Sequence, residues 1–165
     1  MLFEFFSSGT PLKLLYGLGF MFFTLLIASF SDLRKMNIDR ELFILWLGVI
    51  GVMFFYDFYH GISWLKWIII LVLGILSWRG VGKVFSLARA DVVAISAVCS
   101  ILDTPYILLF YVILLLVNKL VLYPVNFFKK NKYPFMPVIL VSLIIIILVL
   151  GVVKIGDIIT FLTKI

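Results

Sequence analysis

Residues 12–30 read LKLLYGLGFMFFTLLIASF, and residues 42–58 read LFILWLGVIGVMFFYDF. An α-helix needs about 20 residues, with a range of roughly 17–25, to cross the hydrocarbon core of a bilayer. Similar apolar runs recur along the chain, at residues 63–78, 87–102, 106–123 and 138–153. These six runs predict an all-α, polytopic membrane bundle of about six transmembrane helices.

The composition excludes an ordinary soluble domain. Hydrophobic residues make up 65% of the 165 residues, charged residues only 13%, and the mean hydropathy is +1.28. Soluble domains carry about 25% charged residues. The runs leave no room for a separate soluble unit, so we expect one membrane domain over residues 1–165. The lone cysteine, Cys99, lies inside the fourth run and excludes an intrachain disulfide and a Cys-x-x-Cys zinc site.

Positive charges are distributed unequally between the two sides of the predicted bundle. One set of alternate connections carries nine of them: Arg34, Lys35, Arg40, Arg79, Lys83, Arg89, Lys129, Lys130 and Lys132. The other side carries Lys13, Lys66, Lys154 and Lys164. Because cytoplasmic loops are enriched in Lys and Arg, we expect both termini outside the cell membrane and the three basic connections in the cytoplasm.

Two aspartates are predicted to share one depth at the cytoplasmic edge. Asp32 follows the first apolar run, in a polar connection expected over residues 31–41, and Asp91 opens the fourth run. Two carboxylates a few ångströms apart can hold one proton between them. One can then take a proton from water while the other protonates a peptide carbonyl. The alternative is structural: Asp32 caps a helix, and Asp91 pairs with Arg89 or a loop lysine.

Three short motifs favour the catalytic interpretation. Residues 29–42 read SFSDLRKMNIDREL, residues 88–94 read ARADVVA, and residues 133–137 read YPFMP. Together, and in this order, they resemble the type IV prepilin peptidase family, which includes the archaeal preflagellin peptidases. The last of them is similar to the P-F-x-P motif that opens the final helix in those enzymes.

The resemblance assigns residues at both aspartates. Asp32 corresponds to the aspartate that ends the first helix, and Asp91 to the aspartate of a G-x-G-D or G-x-(small apolar)-D motif. Ala90 takes the small position, Arg89 the variable one, and Ala88 replaces the usual first glycine. The resemblance thus implies catalytic Asp32 and Asp91, with residues 88–90 beside the substrate.

The implied activity is a membrane aspartic endopeptidase. It would remove the short basic leader of prepilin or preflagellin-like membrane proteins at the cytoplasmic face. Larger bacterial members carry a Cys-x-x-Cys zinc loop and also methylate the new amino terminus; this chain lacks that loop. We therefore expect peptidase activity alone, with no metal, no cofactor and no nucleic-acid partner.

Three further residues are candidates for contacts with the substrate or the dyad. Asp39 and Glu41 are the acids nearest the first motif, and one of them is expected to bind the basic leader; alternatively, they offset neighbouring cations. Lys119 lies near the end of the fifth run, about 6 Å inside the boundary at about 1.5 Å per residue. It either snorkels to the surface or approaches the carboxylates.

Other functions stay open at this point. A presenilin-like intramembrane protease also uses a G-x-G-D aspartate. A small ion- or proton-translocating bundle and a non-catalytic pilus-assembly subunit are alternatives from other classes. Asp57 and His60 stand three residues apart at the opposite end of the second run, where we expect interfacial polar residues and not a metal site.

Overall fold

The structure, a computed structural model, describes residues 10–35, 38–61, 63–78, 87–127 and 134–162. Side chains are described at residues 14–34, 38–61, 63–78, 87–120 and 134–151. Throughout these ranges the secondary structure is helical, apart from turns and an isolated bridge between Trp78 and Leu87. The predicted all-α class is confirmed.

Each of the six predicted runs overlaps one helix. The helices are α1 (Thr10–Lys35), α2 (Arg40–Tyr59), α3 (Trp64–Ser77), α4 (Arg89–Ile101), α5 (Thr104–Phe127) and α6 (Met136–Leu162). The last helix runs nine residues beyond the predicted end at residue 153. By contrast, α4 has only 13 residues and is about 20 Å long at about 1.5 Å per residue.

The first half of the predicted polar connection is in fact helical. We expected residues 31–41 to link the first two spans, but α1 continues through Lys35, which places Asp32 inside the helix. Leucine, arginine and lysine are all favourable in helices, and neither glycine nor proline follows Asp32 to end it. The first predicted span, which ended at residue 30, was therefore five residues too short at this end.

The shortest helix, α4, lies at the centre of the bundle. It packs against α1, α2, α3 and α6, while α6 also packs against α1 and α5. Small side chains on α4, including Ala94, Ala97 and Ser100, are fully buried. They let several neighbouring helices approach one central element closely. Cys99 is buried within this packing, as expected.

Polar contacts join helices at two levels of the bundle. The Trp46 indole Nε1–H donates to Thr24 Oγ1 at 3.1 Å and links α2 to α1. Lys66 is buried at the start of α3, where Nζ lies 2.7 Å from Asp57 Oδ2 and 2.6 Å from the Ser100 carbonyl oxygen. The sequence placed Lys66 and Asp57 at the interface, but this contact ties together α2, α3 and the carboxyl end of α4.

The outward surface of the first helices is largely apolar. Exposed side chains include Tyr16, Phe23, Phe55 and Phe58. By length and composition, two described segments, Leu14–Arg34 and Arg40–Tyr59, are able to cross a membrane. The segments Trp64–Ser77, Thr104–Leu120 and Met136–Gly151 are apolar but shorter.

Candidate active site

The two aspartates of the sequence motifs meet at one end of the bundle. Asp32 lies in the last turn of α1, and Asp91 lies in the first turn of α4, which packs against α1. Both side chains are buried, at 7% and 8% exposure. Their carboxyl groups are near enough to repel each other electrostatically. Burial strengthens that repulsion because the surroundings screen charge less well than water does.

Asp32 caps a helix, but not the one that follows it in the chain. Its Oδ2 accepts a hydrogen bond from the Met136 main-chain N–H at 3.1 Å, across 104 positions of sequence. Met136 is the first residue of α6, and the preceding residue, Phe135, has no side-chain oxygen with which to cap it. The carboxylate of α1 supplies the missing acceptor.

The prolines of the third motif leave Met136 as the donor for this bond. Pro137 has no N–H, and the N–H groups of Val138 and Ile139 donate to the Phe135 carbonyl at 3.0 and 3.2 Å. The one remaining donor in this turn points at Asp32. The motif thus acts at the aspartate site through its main chain, which the sequence did not reveal.

Asp91 is held by the start of its own helix. It is the third residue of α4, and its Oδ2 accepts the Ala88 N–H at 3.2 Å. A carboxylate at this position is also favoured by the positive end of the helix dipole. Ala88 has φ −68° and ψ 159°, an extended conformation open to any residue. The position where the family usually has glycine therefore accepts alanine without backbone strain.

Arg89 does not pair with Asp91 in this arrangement. Its guanidinium lies over the Trp78 ring, 5.8 Å from the centroid, and the side chain is exposed. Ala88 is exposed and Ala90 half-buried on the same turn. Residues 88–90 therefore form an accessible edge next to Asp91. Lys83 and the other residues of the 79–86 segment lie outside the described residues.

The remaining candidates lie on the surface. Asp39 and Glu41 are exposed at the start of α2, where the Asp39 side chain makes no capping hydrogen bond. Lys119 is exposed as well, whereas its neighbour Asn118 is buried. None of the three joins Asp32 and Asp91 in the buried site. Of the basic residues that set the expected sidedness, Arg79, Lys83, Lys129, Lys130 and Lys132 lie outside the described residues.

A large groove on the molecule lies away from the aspartates. It has a volume of about 760 Å³ and runs between α2 and α3, with Val92, Val93 and Ser96 of α4 as its floor. Neither aspartate lines the groove, although Arg89 and Val92, close to Asp91 in the sequence, do. The chemistry of the chain is therefore concentrated at the helix ends and not in this apolar cleft.

The two carboxylates share the features of a proton-exchange site. Each uses Oδ2 to accept a main-chain N–H, so in the described contacts each keeps Oδ1 for a water or a substrate group. Two buried carboxyls whose charges repel each other can hold one proton between them.

Comparison with protein-family models, with curated proteins and with solved structures finds no match for this chain. Its function is therefore argued from the site and from the motifs.

Proposed function

We propose that the chain is a membrane aspartic endopeptidase that removes the short basic leader from type IV prepilin or preflagellin-like precursors. The observation that carries the proposal is the convergence of Asp32 and Asp91, both buried, at one end of the bundle. Burying two like charges together is unfavourable, and such pairs occur where their proton exchange is used. The substrate class rests on the resemblance of the three motifs to those of the prepilin peptidases.

A location in the plasma membrane is supported by the apolar outer surface, by two described helices long and apolar enough to cross a bilayer, and by three shorter apolar ones. The short α4 fits this location because it is central and enclosed by its neighbours. The unequal distribution of Lys and Arg along the sequence, taken with the positive-inside rule, supports a cytoplasmic site with both termini outside. That face is where the basic leader of such a precursor lies.

The proposed reaction uses the shared proton. One carboxylate takes a proton from water as the water oxygen attacks the scissile peptide carbon, and the other gives its proton to the carbonyl oxygen. When the tetrahedral intermediate collapses, one of its hydroxyls returns a proton to the dyad as the C=O bond re-forms, the C–N bond breaks, and the leaving amine takes up a proton from the dyad. The cycle ends with one proton again shared by the pair, and it consumes one water.

The N–H groups of Met136 and Ala88 would keep the carboxyls oriented during this cycle. Each binds one Oδ2 and leaves the second oxygen to exchange protons. The accessible edge of residues 88–90 would lie along the extended segment of the substrate. Asp39 and Glu41, exposed at the same end, provide negative charge for the leader.

The test compares the purified protein with Asp32→Asn and Asp91→Asn variants on prepilin and preflagellin precursors in detergent. Asp103→Asn is a matched control, because Asp103 is exposed at the opposite end of the bundle. The wild type and the control should release the leader and leave an unmethylated amino terminus by mass spectrometry, while both dyad variants should not. Cleavage by both dyad variants, or a folded wild type that cuts no precursor, would refute the proposal.

A further inference from the structure

One buried hydroxyl near the aspartates is left without a hydrogen bond. Ser29 is only 5% exposed, and within the part of the chain that the structure describes its Oγ has no partner. A buried polar atom without a partner loses its bonds to water and gains nothing in exchange, so such atoms are rare in native proteins.

Other buried hydroxyls in these helices are satisfied locally. Thr24 and Ser100 donate to carbonyls three residues earlier, at 3.1 and 2.7 Å. Ser77 and Ser142 donate to carbonyls four residues earlier, at 2.7 and 2.8 Å. This is the common arrangement for a hydroxyl inside a helix. Ser29 makes no such hydrogen bond, although α1 continues on both sides of it.

Ser29 lies about one helical turn before Asp32 of the proposed catalytic pair. It is three residues before Asp32 in α1, a spacing that puts two side chains on one helix face with Cβ atoms about 5–6 Å apart. It is also seven residues, or about two turns, after Phe22, which faces α6 across an apolar groove. The hydroxyl therefore lies on the α6-facing side of α1, next to the carboxylate that caps α6.

Asp32 and Ser29 together provide two hydrogen-bond acceptors for one water molecule. Asp32 Oδ2 is engaged by the Met136 N–H, which leaves Oδ1 as an acceptor, and Ser29 Oγ is a second acceptor one turn away. A buried water is typically held by about three polar partners. A carboxylate and a hydroxyl on one helix face can bind both of its hydrogens and direct an oxygen lone pair outward.

We propose that Ser29 is a third catalytic residue, whose hydroxyl binds and orients the water that the aspartate dyad activates. This rests on the proposed peptidase function. The water donates one hydrogen to the dyad and the other to Ser29 Oγ, so its lone pair points at the scissile carbon. On attack, the first hydrogen moves to the carboxylate as a proton, and Ser29 keeps its own.

The experiment measures kcat, KM and the melting temperature for Ser29→Ala and Ser29→Cys, with Ser142→Ala as the matched control. Loss of one oriented hydrogen bond should lower kcat about 10-fold and leave KM unchanged in both Ser29 variants. Cysteine has a similar volume but is a weak acceptor, so it separates hydrogen bonding from packing. Ser29→Ala should melt close to the wild type, since no described protein group bonds to the Ser29 hydroxyl.

The control should behave in the opposite way. Ser142→Ala removes a satisfied hydroxyl and should lower the melting temperature while it keeps kcat. The inference is overturned if Ser29→Ala retains kcat within about twofold, if only KM changes, or if its kcat and melting temperature fall together. In those cases the wild type still cuts precursors, and the peptidase proposal survives. A wild type that cuts no precursor would refute both the peptidase proposal and the role of Ser29.

Discussion

Replacing Asp32 by alanine or by asparagine separates its role as a helix cap from its proposed role in proton transfer. Alanine removes the acceptor of the Met136 N–H, a bond of 3.1 Å in a buried position. Loss of an N-cap side chain costs about 0.5–2 kcal/mol, and relief of repulsion from Asp91 offsets part of this. Asparagine retains a side-chain oxygen that can accept the same bond.

We therefore expect Asp32→Ala to be destabilised by about 1 kcal/mol, which lowers the melting temperature by about 2–4 °C for a chain of this size. Asp32→Asn should melt like the wild type, or slightly higher, because it keeps the cap and removes one of two like charges. Both variants should lose cleavage of the precursor.

The assay is thermal unfolding in one detergent, followed by circular dichroism, alongside the cleavage reaction. Asp39→Ala is the control, because Asp39 occupies the N-cap position of α2 without a side-chain capping bond. It should melt like the wild type. Equal melting temperatures for the alanine and asparagine variants of Asp32 would show that the contact with α6 contributes nothing, and the argument for a capped, oriented carboxylate would fail.

Three further predictions concern packing, the buried ion pair and the leader. Lys66→Met removes the cation that lies 2.7 Å from the Asp57 carboxylate, whose side chain is 12% exposed, and should cost about 3–5 kcal/mol. Replacing both members by apolar residues should recover much of that loss in chemical denaturation; an additive double variant would contradict this. Gly17→Ala places a Cβ 2.9 Å from a methyl group of α4 and should lower the free energy of unfolding by about 1 kcal/mol. Gly19→Ala, whose Cβ would have nothing within 4 Å, should raise it by about 0.5–1 kcal/mol in the same measurement. The reverse order would show that α1 packs differently. Neutralising Asp39 and Glu41 together should raise KM for a basic leader by roughly 2–30-fold, since exposed ion pairs contribute about 0.2–1 kcal/mol each. Unchanged kinetics would exclude both from leader binding.

The helices could be located from the sequence because each is a long apolar run. The ends of the helices were less predictable where no glycine or proline follows to end the helix. Nothing after Asp32 breaks a helix, so α1 continued into the polar segment. The proximity of Asp32 and Asp91 was a reasonable expectation, since each stands at the same end of an antiparallel bundle.

The contacts that hold the candidate site could not be predicted in the same way. The donor to Asp32 is the main-chain N–H of Met136. Because almost every residue has such a group, the residue type at this position does not reveal the bond. The buried position of Lys66 depends on a carbonyl of α4 and an aspartate of α2. The unpaired hydroxyl of Ser29 becomes visible only when neighbouring helices are in place.

The bond between Asp32 and Met136 also sets an order for the assembly of the site. The carboxylate belongs to the first helix, but the group that orients it is made 104 residues later. During synthesis, both aspartates are present in the nascent chain well before the last helix emerges. The site reaches its final geometry only when that helix has inserted and packed, so a partly made chain holds the reactive groups without their arrangement.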